Sequence, residues 1–426
     1  EVYGRLGPAR ASSHELKEIS MSIYIGIDWS QDKHDVAFMN AAGAIIARLT
    51  IPHQPDGFGK LEATRKQLAV TATDCLVGLE TAHNLLLDFL WDQGYQQIYV
   101  IPPGVVKSSR GRYGHSGARD DTLDAQLLAD LLRTDRARLH PWRPDSQLTR
   151  QIRAQVGFIS YLTHSANRTH NRLRAALLRY YPQALELFSG LMVPTTLAFI
   201  AAYNTPQALD ALSYEAFVAF AHQQGYWNQQ VLLDCYARLQ HTPLQASPAT
   251  VAVYQDEAQI LAQQLRELIL TKRQVQRDIN TLFALHPDQA IFSSLPGTGD
   301  FLAPALLAKL GDDRDRFPSA ASLQALAGTC PVTVASGKHK RVIFRHACDA
   351  EFRQIAQQWA RCSLRKSVWA VAYWQHIRPR STSDHDAYRR LANRWLAVLW
   401  KLWQSREPYD EAYHLQQRRL RSQPVA

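Results

Sequence analysis

Cysteine is scarce in this chain: five residues in 426 (Cys75, Cys235, Cys330, Cys348 and Cys362), no two of them at CxxC spacing. That excludes a disulfide framework and a zinc ribbon, and it points to a reducing compartment, the cytoplasm. Long apolar runs are also lacking. The stretch from Gly190 to Tyr203 is broken by Pro194, Thr195 and Thr196, well short of the roughly 18 apolar residues a membrane helix needs. No membrane partner is expected. Repeats and low-complexity tracts are absent, and charged residues make up only 20% against 46% hydrophobic. Such a balance excludes a disordered chain and suits two or three folded domains. Residues 1–20 have no signal-peptide stretch and read as an extension outside the fold.

What the chain has is cationic bias and acids in particular places. Lys and Arg number 48 against 38 Asp and Glu, a net charge of +10, which favours an anionic partner such as nucleic acid. Between Lys107 and Arg179 there are 14 basic against 6 acidic residues, with no acid from Gln147 to Gln183; from Ser336 onward the count is 18 against 7. The bias is therefore local, and aromatic residues interleave with it (Tyr161, Tyr180, Tyr181, Trp359, Trp369, Trp374). This pattern is typical of surfaces that bind backbones and stack bases. Trp395, Trp400 and Trp403 fit a helix core better.

Hydropathy periods divide the chain. Ser22–Trp29, His34–Asn40 and Ala44–Pro52 read as three strands of a meander, followed by a helix over Phe58–Ala69, a buried strand Asp74–Glu80, a helix Asn84–Gln93 and a strand Gln97–Pro102. The order βββαβαβ predicts a mixed sheet of ribonuclease H-like type over residues 21–145. Residues 146–290 read as a helical, coiled-coil linker: a helix over Gln151–Tyr181, a small helical insert, and a heptad seam of Leu261, Leu265, Leu268, Lys272, Val275, Ile279 and Leu282, broken only by Lys272. The seam suits either a hairpin within the chain or an intermolecular coiled coil. Residues 291–410 form a mostly helical last domain, and 411–426 a basic tail.

Asp28 ends the first strand and Glu80 the strand DCLVGLE, while Asp121 and Asp124 share one face at the start of a helix. Four converging carboxylates repel one another unless they bind cations, and hard oxygen donors suit Mg²⁺ or Mn²⁺. Two such ions clamp the attacking and leaving oxygens of a phosphodiester displacement. Taken singly, each acid is also a plausible turn former or helix cap. Asp32, Asp35 and Asp120 read as solvated or supporting. A kinase or actin-like ATPase reading of GIDWS needs a glycine-rich phosphate loop, and Trp29–Lys33 contains no glycine.

Farther along, Leu295-Pro-Gly-Thr-Gly299 before an apolar helix has the form of a helix-hairpin-helix, in which Gly297 and Gly299 admit a DNA phosphate. An ordinary turn is the alternative. Ser336 and Gly337 lie among Lys338, Lys340, Arg341 and Arg345, so a hydroxyl sits beside cations suited to a phosphoryl transition state. No phosphate-loop motif is met, His339 and His346 lack zinc partners, and no His-Asp pair is evident beside Ser336.

Together, IGIDWSQDKHDVAF, GLETA, RDDTLDAQLLA, LPGTG, ALAGTCPVTVASGK and the basic helical tail resemble the DEDD transposases of the one-hundred-and-ten family of bacterial insertion sequences. The resemblance spans residues 21–405 and is weakest over 182–250. It implies a RuvC-like domain, a helical linker and a C-terminal transposase domain, acting on donor and target DNA as a homo-oligomer guided by a structured bridge RNA. Carried over, the metal-binding tetrad falls on Asp28, Glu80, Asp121 and Asp124, and the serine nucleophile on Ser336. Where the family has Lys-Thr before its third acid, this chain has Arg119 and Asp120; the spacing to Asp124 and the following alanine favour Asp121. Arg168, Arg172 and Arg174, in the acid-free stretch, are then expected on RNA backbone. A Holliday-junction endonuclease using metal-activated water, or a non-catalytic nucleic-acid-binding protein, would show many of the same features.

Overall fold

A computed structural model describes residues 22–81, 85–113, 121–240, 246–337 and 339–422. The chain divides into two compact units, 1–144 and 145–426. The extension at residues 1–20, Asp120, Lys338 and the end of the basic tail lie outside the described residues.

In the first unit, β1 (Ile23–Trp29), β2 (Lys33–Met39) and β3 (Ile45–Pro52) form an antiparallel meander. Helix α1 (Pro55–Gln67) leads to β4 (Cys75–Leu79), α2 (Leu85–Asp92) to β5 (Gln97–Val100), and α3 (Pro103–Ser109) and α4 (Asp121–Asp135) to the short β6 (Pro141–Trp142). Six strands pair in the order β3-β2-β1-β4-β5-β6, with β4 parallel to both β1 and β5 and β6 antiparallel to β5. The strands expected from the sequence are all present, and β6 is an addition at the edge. All five residues of β4 are buried because the sheet is covered on both faces. Phe58, Leu61, Leu86 and Leu90 pack on one side, while Leu127, Leu128 and Leu132 of α4 occupy the other.

The second unit opens with α5 (Gln147–Tyr180), capped by Ser146, whose hydroxyl accepts from the Thr149 amide. After α6 (Pro194–Ala202), α7 (Tyr214–Gln223) and α8 (Gln229–Leu239), α9 (Pro248–Ala284) returns along α5, so the pair is a hairpin within one chain. Buried positions of α9 are Val251, Ala258, Ala262, Leu265, Ile269, Ile279 and Phe283. The seam is thus rotated from the predicted one: Leu261, Leu268, Val275 and Leu282 flank it, half-buried. Alanine at 258 and 262 lets the two helices approach, and the bulkier leucines take the sides.

Two cores share this hairpin. Ala166 and Leu173 join Leu265 and Ile269 under the helical insert, where Tyr180 and Tyr181 are also buried. Ile152, Val156 and Ile159 join Ile279 and Phe283 in the second core. That core is completed by α10 (Gln289–Ser293), α11 (Gly299–Leu310), α12 (Ala320–Leu326), α13 (Ala350–Ser363), α14 (Val368–Ile377) and α15 (Asp384–Ser405). Trp359, Trp369, Trp395 and Trp403 are buried there, and Trp374 and Trp400 are packed against it. The expectation that Trp359, Trp369, Trp374, Tyr180 and Tyr181 stack bases is corrected: Trp359, Trp369, Tyr180 and Tyr181 are buried and Trp374 packs against the core, so these rings serve packing. The tail forms α16 (Glu411–Ser422), with Glu411 accepting from the Trp369 amide at 2.9 Å. One element was not foreseen in the mostly helical last domain, the hairpin β7 (Val332–Ser336) and β8 (His339–Ile343).

Candidate functional site

Strand register brings the first acids together. Ile27 pairs with Leu79 in the parallel β1–β4 ladder, so Asp28 and Glu80 follow side by side, about 4.8 Å apart in backbone spacing. Gly26, two residues before Asp28 and on the same face, is pressed against α4. A methyl group there would lie 1.9 Å from the Ala125 carbonyl oxygen and 2.5 Å from the Ala129 nitrogen. This contact sets the first turns of α4, and with them Asp124, against the end of β1. Asp121 is the first residue of α4, but its side chain lies outside what the structure describes.

Arg110 stands among these acids. Its Nε donates to Asp124 Oδ1 at 3.0 Å and its Nη2 to Oδ2 at 2.6 Å, a bidentate pair. The Asp124 bond, and then the charges of Glu80 and Asp28, raise the guanidinium pKa further. Burial pushes the Glu80 carboxyl up, nearby Asp124 pushes it further, and Arg110 opposes both. The chemistry is a set of hard oxygen donors whose mutual repulsion is partly balanced by one cation. Among the described residues, no three acidic, His or Cys side chains converge tightly enough to hold an ion; both oxygens of Asp124 are engaged by Arg110. Sequence reasoning missed Arg110 because it is one of several cations between Lys107 and Arg119, and only the tertiary pairing singles it out.

Asp35 pairs with Asp28 in the β1–β2 register, is buried, and accepts from Thr50 Oγ1 at 2.5 Å. On the opposite face His34 is fully buried, with Nε2 2.8 Å from His53 Nδ1 and ring contacts to Trp29 and Phe58. Burial, then the neighbouring His53, lowers its pKa to about 4.

In the second unit, Ser336 ends β7 at the tip of the exposed hairpin, before the turn, where Gly337 has φ +56°. Ser336 pairs directly with His339 across that turn, so a histidine does stand beside the serine, placed there by register. Lys340 and Arg341 are exposed on β8; Arg345 donates to the Cys330 carbonyl at 3.3 Å. Gly297, at φ +81°, abuts the backbone of Cys362 and Ser363, where a methyl would come within 2.6 Å; close packing of chain on chain accounts for this glycine. Gly299 is exposed, with open space around it. On α5, Arg168 and Arg174 are exposed, Arg172 pairs with Glu257, and Tyr161 is 60% exposed and stacked on Phe158. The exposed face of α13 adds Gln354, Gln357, Gln358 and Arg361, a polar groove with no acid in its lining.

Comparison with known proteins covers both groups of residues. A DEDD transposase model of IS110 matches residues 25–182, which include the four acids. The Transposase IS116/IS110/IS902 family model matches residues 289–375, which include Ser336. The mini-circle protein of Streptomyces coelicolor assigned as a transposase for IS117 is 29% identical over 92% of this chain and 97% of its own length. The 43.6 kDa protein of insertion element IS110 from the same organism is 24% identical over 90% of this chain and 94% of its own. The 44.8 kDa protein of insertion element IS116 from Streptomyces clavuligerus is also 24% identical, over 92% and 96%. Among the described residues no helix is long and apolar enough to cross a membrane. With two family models spanning more than half of its length and relatives matching it nearly end to end, the chain belongs to the IS116/IS110/IS902 family of transposases, enzymes that act on DNA.

Proposed function

We propose that the chain cuts and rejoins DNA strands for an insertion sequence, through a RuvC-like acidic site in residues 21–145 and a serine nucleophile in the C-terminal domain, residues 291–410, joined by the helical linker. The observation that carries this reading is the gathering of Asp28, Glu80 and Asp124 around Arg110 at the strand ends. The donor set fits a hard divalent cation: Asp28, Glu80, Asp124 and Asp121 would hold Mg²⁺ or Mn²⁺, with Arg110 yielding Asp124 to it. When bound there, such an ion supplies charge stabilisation to a phosphodiester in displacement.

The remaining steps belong to the chain. Ser336 Oγ bonds to phosphorus as the P–O bond to the departing strand breaks. One phosphodiester is conserved for rejoining, and the hydroxyl proton passes to a base or to water. Exposure of Ser336 at a hairpin tip supports a nucleophile presented outward, with Lys340 and Arg341 exposed on the adjoining strand. The acids of one copy serving the serine of another would make the working form a homo-oligomer. The cationic face of α5, with Arg168 and Arg174, supports binding of a structured guide RNA along its backbone.

The test is strand transfer with a divalent-ion titration. A protein–DNA adduct that survives denaturation is expected from wild type, and it should be missing from Ser336→Ala. Normal cleavage by Ser336→Ala with free ends would favour a nuclease that uses water; nucleic-acid binding with no cleavage at any ion concentration would favour a binding protein.

A further inference from the structure

The buried seam of α9 advances by four and three from Ala258 to Ile269 and again from Ile279 to Phe283. Continued across the gap, the same steps fall on Lys272 and Gln276. Two successive layers of an apolar seam are therefore polar. They lie where one core ends, at Ala166 and Ile269, and before the other begins, at Ile159 and Ile279. At this waist the helices flank an open pocket of about 460 Å³ with an apolar part, Ala166, Met192 and Ile269, and a polar part to which α5 contributes Asn167 and α9 Lys272, Arg273, Gln276 and Arg277.

No carboxylate lines the cavity. The Gln276 amide is satisfied by Asn280 and by the Asp300 carbonyl, at 3.1 and 2.8 Å. Lys272, half-buried, makes no ion pair with a described acid, and burial lowers its pKa with no acid to oppose it. A polar seam residue that only fixes helix register normally finds a partner across the seam. A half-buried ammonium without one costs stability that a leucine at the same position would not. Three cations, Lys272, Arg273 and Arg277, line the cavity together, which suits an anion such as a phosphate group.

We propose that the waist of the α5–α9 hairpin is a binding site for one phosphodiester group of a nucleic-acid strand. Lys272 is its central cation, Arg273 and Arg277 are the exposed cations of its lining, and the Asn167 amide donates a hydrogen bond. The site deepens the nucleic-acid reading given above and rests on it, but it requires neither the serine nor the acids.

The experiment uses the full chain, fluorescent RNA and DNA strands of one sequence, and inorganic phosphate as competitor. Lys272→Leu should raise the melting temperature by filling the seam, weaken strand binding about ten-fold, and reduce the log–log salt slope by about 0.7, the share of one phosphate contact. Lys272→Arg should retain binding. Whether the loss is seen with RNA, DNA or both identifies the strand, and competition by millimolar phosphate supports the site. A raised melting temperature with unchanged affinity for both strands would reduce Lys272 to a register device and overturn the proposal. If Lys272→Leu lowers both stability and affinity, Arg273→Gln combined with Arg277→Gln decides, since both residues are exposed: undiminished affinity there overturns the proposal. Failure of wild type to bind either strand at low salt would overturn the nucleic-acid reading itself, whereas normal wild-type binding with unaffected variants overturns only the pocket.

Discussion

Gly26 of β1 lies so close to Ala125 of α4 that a Cβ on the glycine would sit 1.9 Å from the alanine's carbonyl oxygen. Strand and helix are thereby in backbone contact, and the residue before Ala125 is Asp124. The position of one carboxylate is set by the absence of a side chain on a residue that has no chemistry of its own.

Gly26→Ala should therefore act on both stability and activity. The added methyl must push α4 outward, at an overpacking cost of about 1–3 kcal/mol, and carry Asp124 away from Asp28 and Glu80. Urea unfolding should show the lower stability, and strand cleavage should fall sharply under conditions where the variant is fully folded. Full activity in a folded Gly26→Ala would mean that Asp124 does not need its present place.

Arg110→Gln removes the cation that balances three acids. Because Glu80 is already raised by burial and by Asp124, losing Arg110 should raise it further. An acid with a raised folded pKa costs stability as pH climbs from its ordinary range through the folded value and beyond, so the variant should lose stability on going from pH 4 to pH 7. The loss is expected to be about 1 kcal/mol for this partly exposed pair. Added Mg²⁺ should restore it and should bind the variant more tightly than wild type, as calorimetry would show. Equal Mg²⁺ affinity in the two proteins would separate Arg110 from the cation site.

His34 predicts an acid sensitivity of the first unit. Its folded pKa of about 4 lies below the ordinary 6.5, so the unfolded chain takes up the proton first as pH falls. Stability supplied by neutral His34 is complete above about pH 6.5 and drains away down to about pH 4, some 3 kcal/mol across the window. Thermal unfolding at pH 7 and pH 5 should show a clear drop that His34→Gln reduces. An unchanged pH dependence in the variant would place the titrating group elsewhere.

What could be read from the sequence follows from where packing writes a period. β1 through β5 carry apolar patterns set by burial, and the acids at the ends of β1 and β4 could be placed by reading those strands. The β7–β8 hairpin could not: nearly every residue of VTVAS and HKRVI is exposed, so burial imposes no alternation, and the Gly-Lys turn is not a strong hairpin signal. The α9 seam was misplaced by one position because leucines at 261 and 268 form an apolar ridge beside the true seam, where Ala262 and Ile269 allow the helices to approach. Arg110 and Arg172 show a further limit. Their sequence neighbourhoods are similar basic stretches, yet one is held by Asp124 and the other by Glu257, partners distant enough in sequence that no local pattern announces them.

The hairpin register also bears on the proposed serine chemistry, because it sets a histidine beside Ser336. Directly paired residues in an antiparallel ladder hold their Cβ atoms about 4.5–5.5 Å apart on one face, and Ser336 is paired with His339. An imidazole at that spacing reaches a serine hydroxyl with a modest rotation, whereas Lys340, one residue on, points to the other face. His339→Ala should therefore slow formation of the serine–DNA adduct about 100-fold, the usual worth of a positioned general base, while leaving DNA affinity intact. Ser336→Cys offers the discriminating comparison: a thiol ionises far more readily than a hydroxyl and depends less on a base. If His339 acts on the serine, removing it should penalise the protein with the native serine much more than the Ser336→Cys variant. Equal penalties would mean that His339 serves only the geometry of the turn, and that the proton leaves Ser336 by another route.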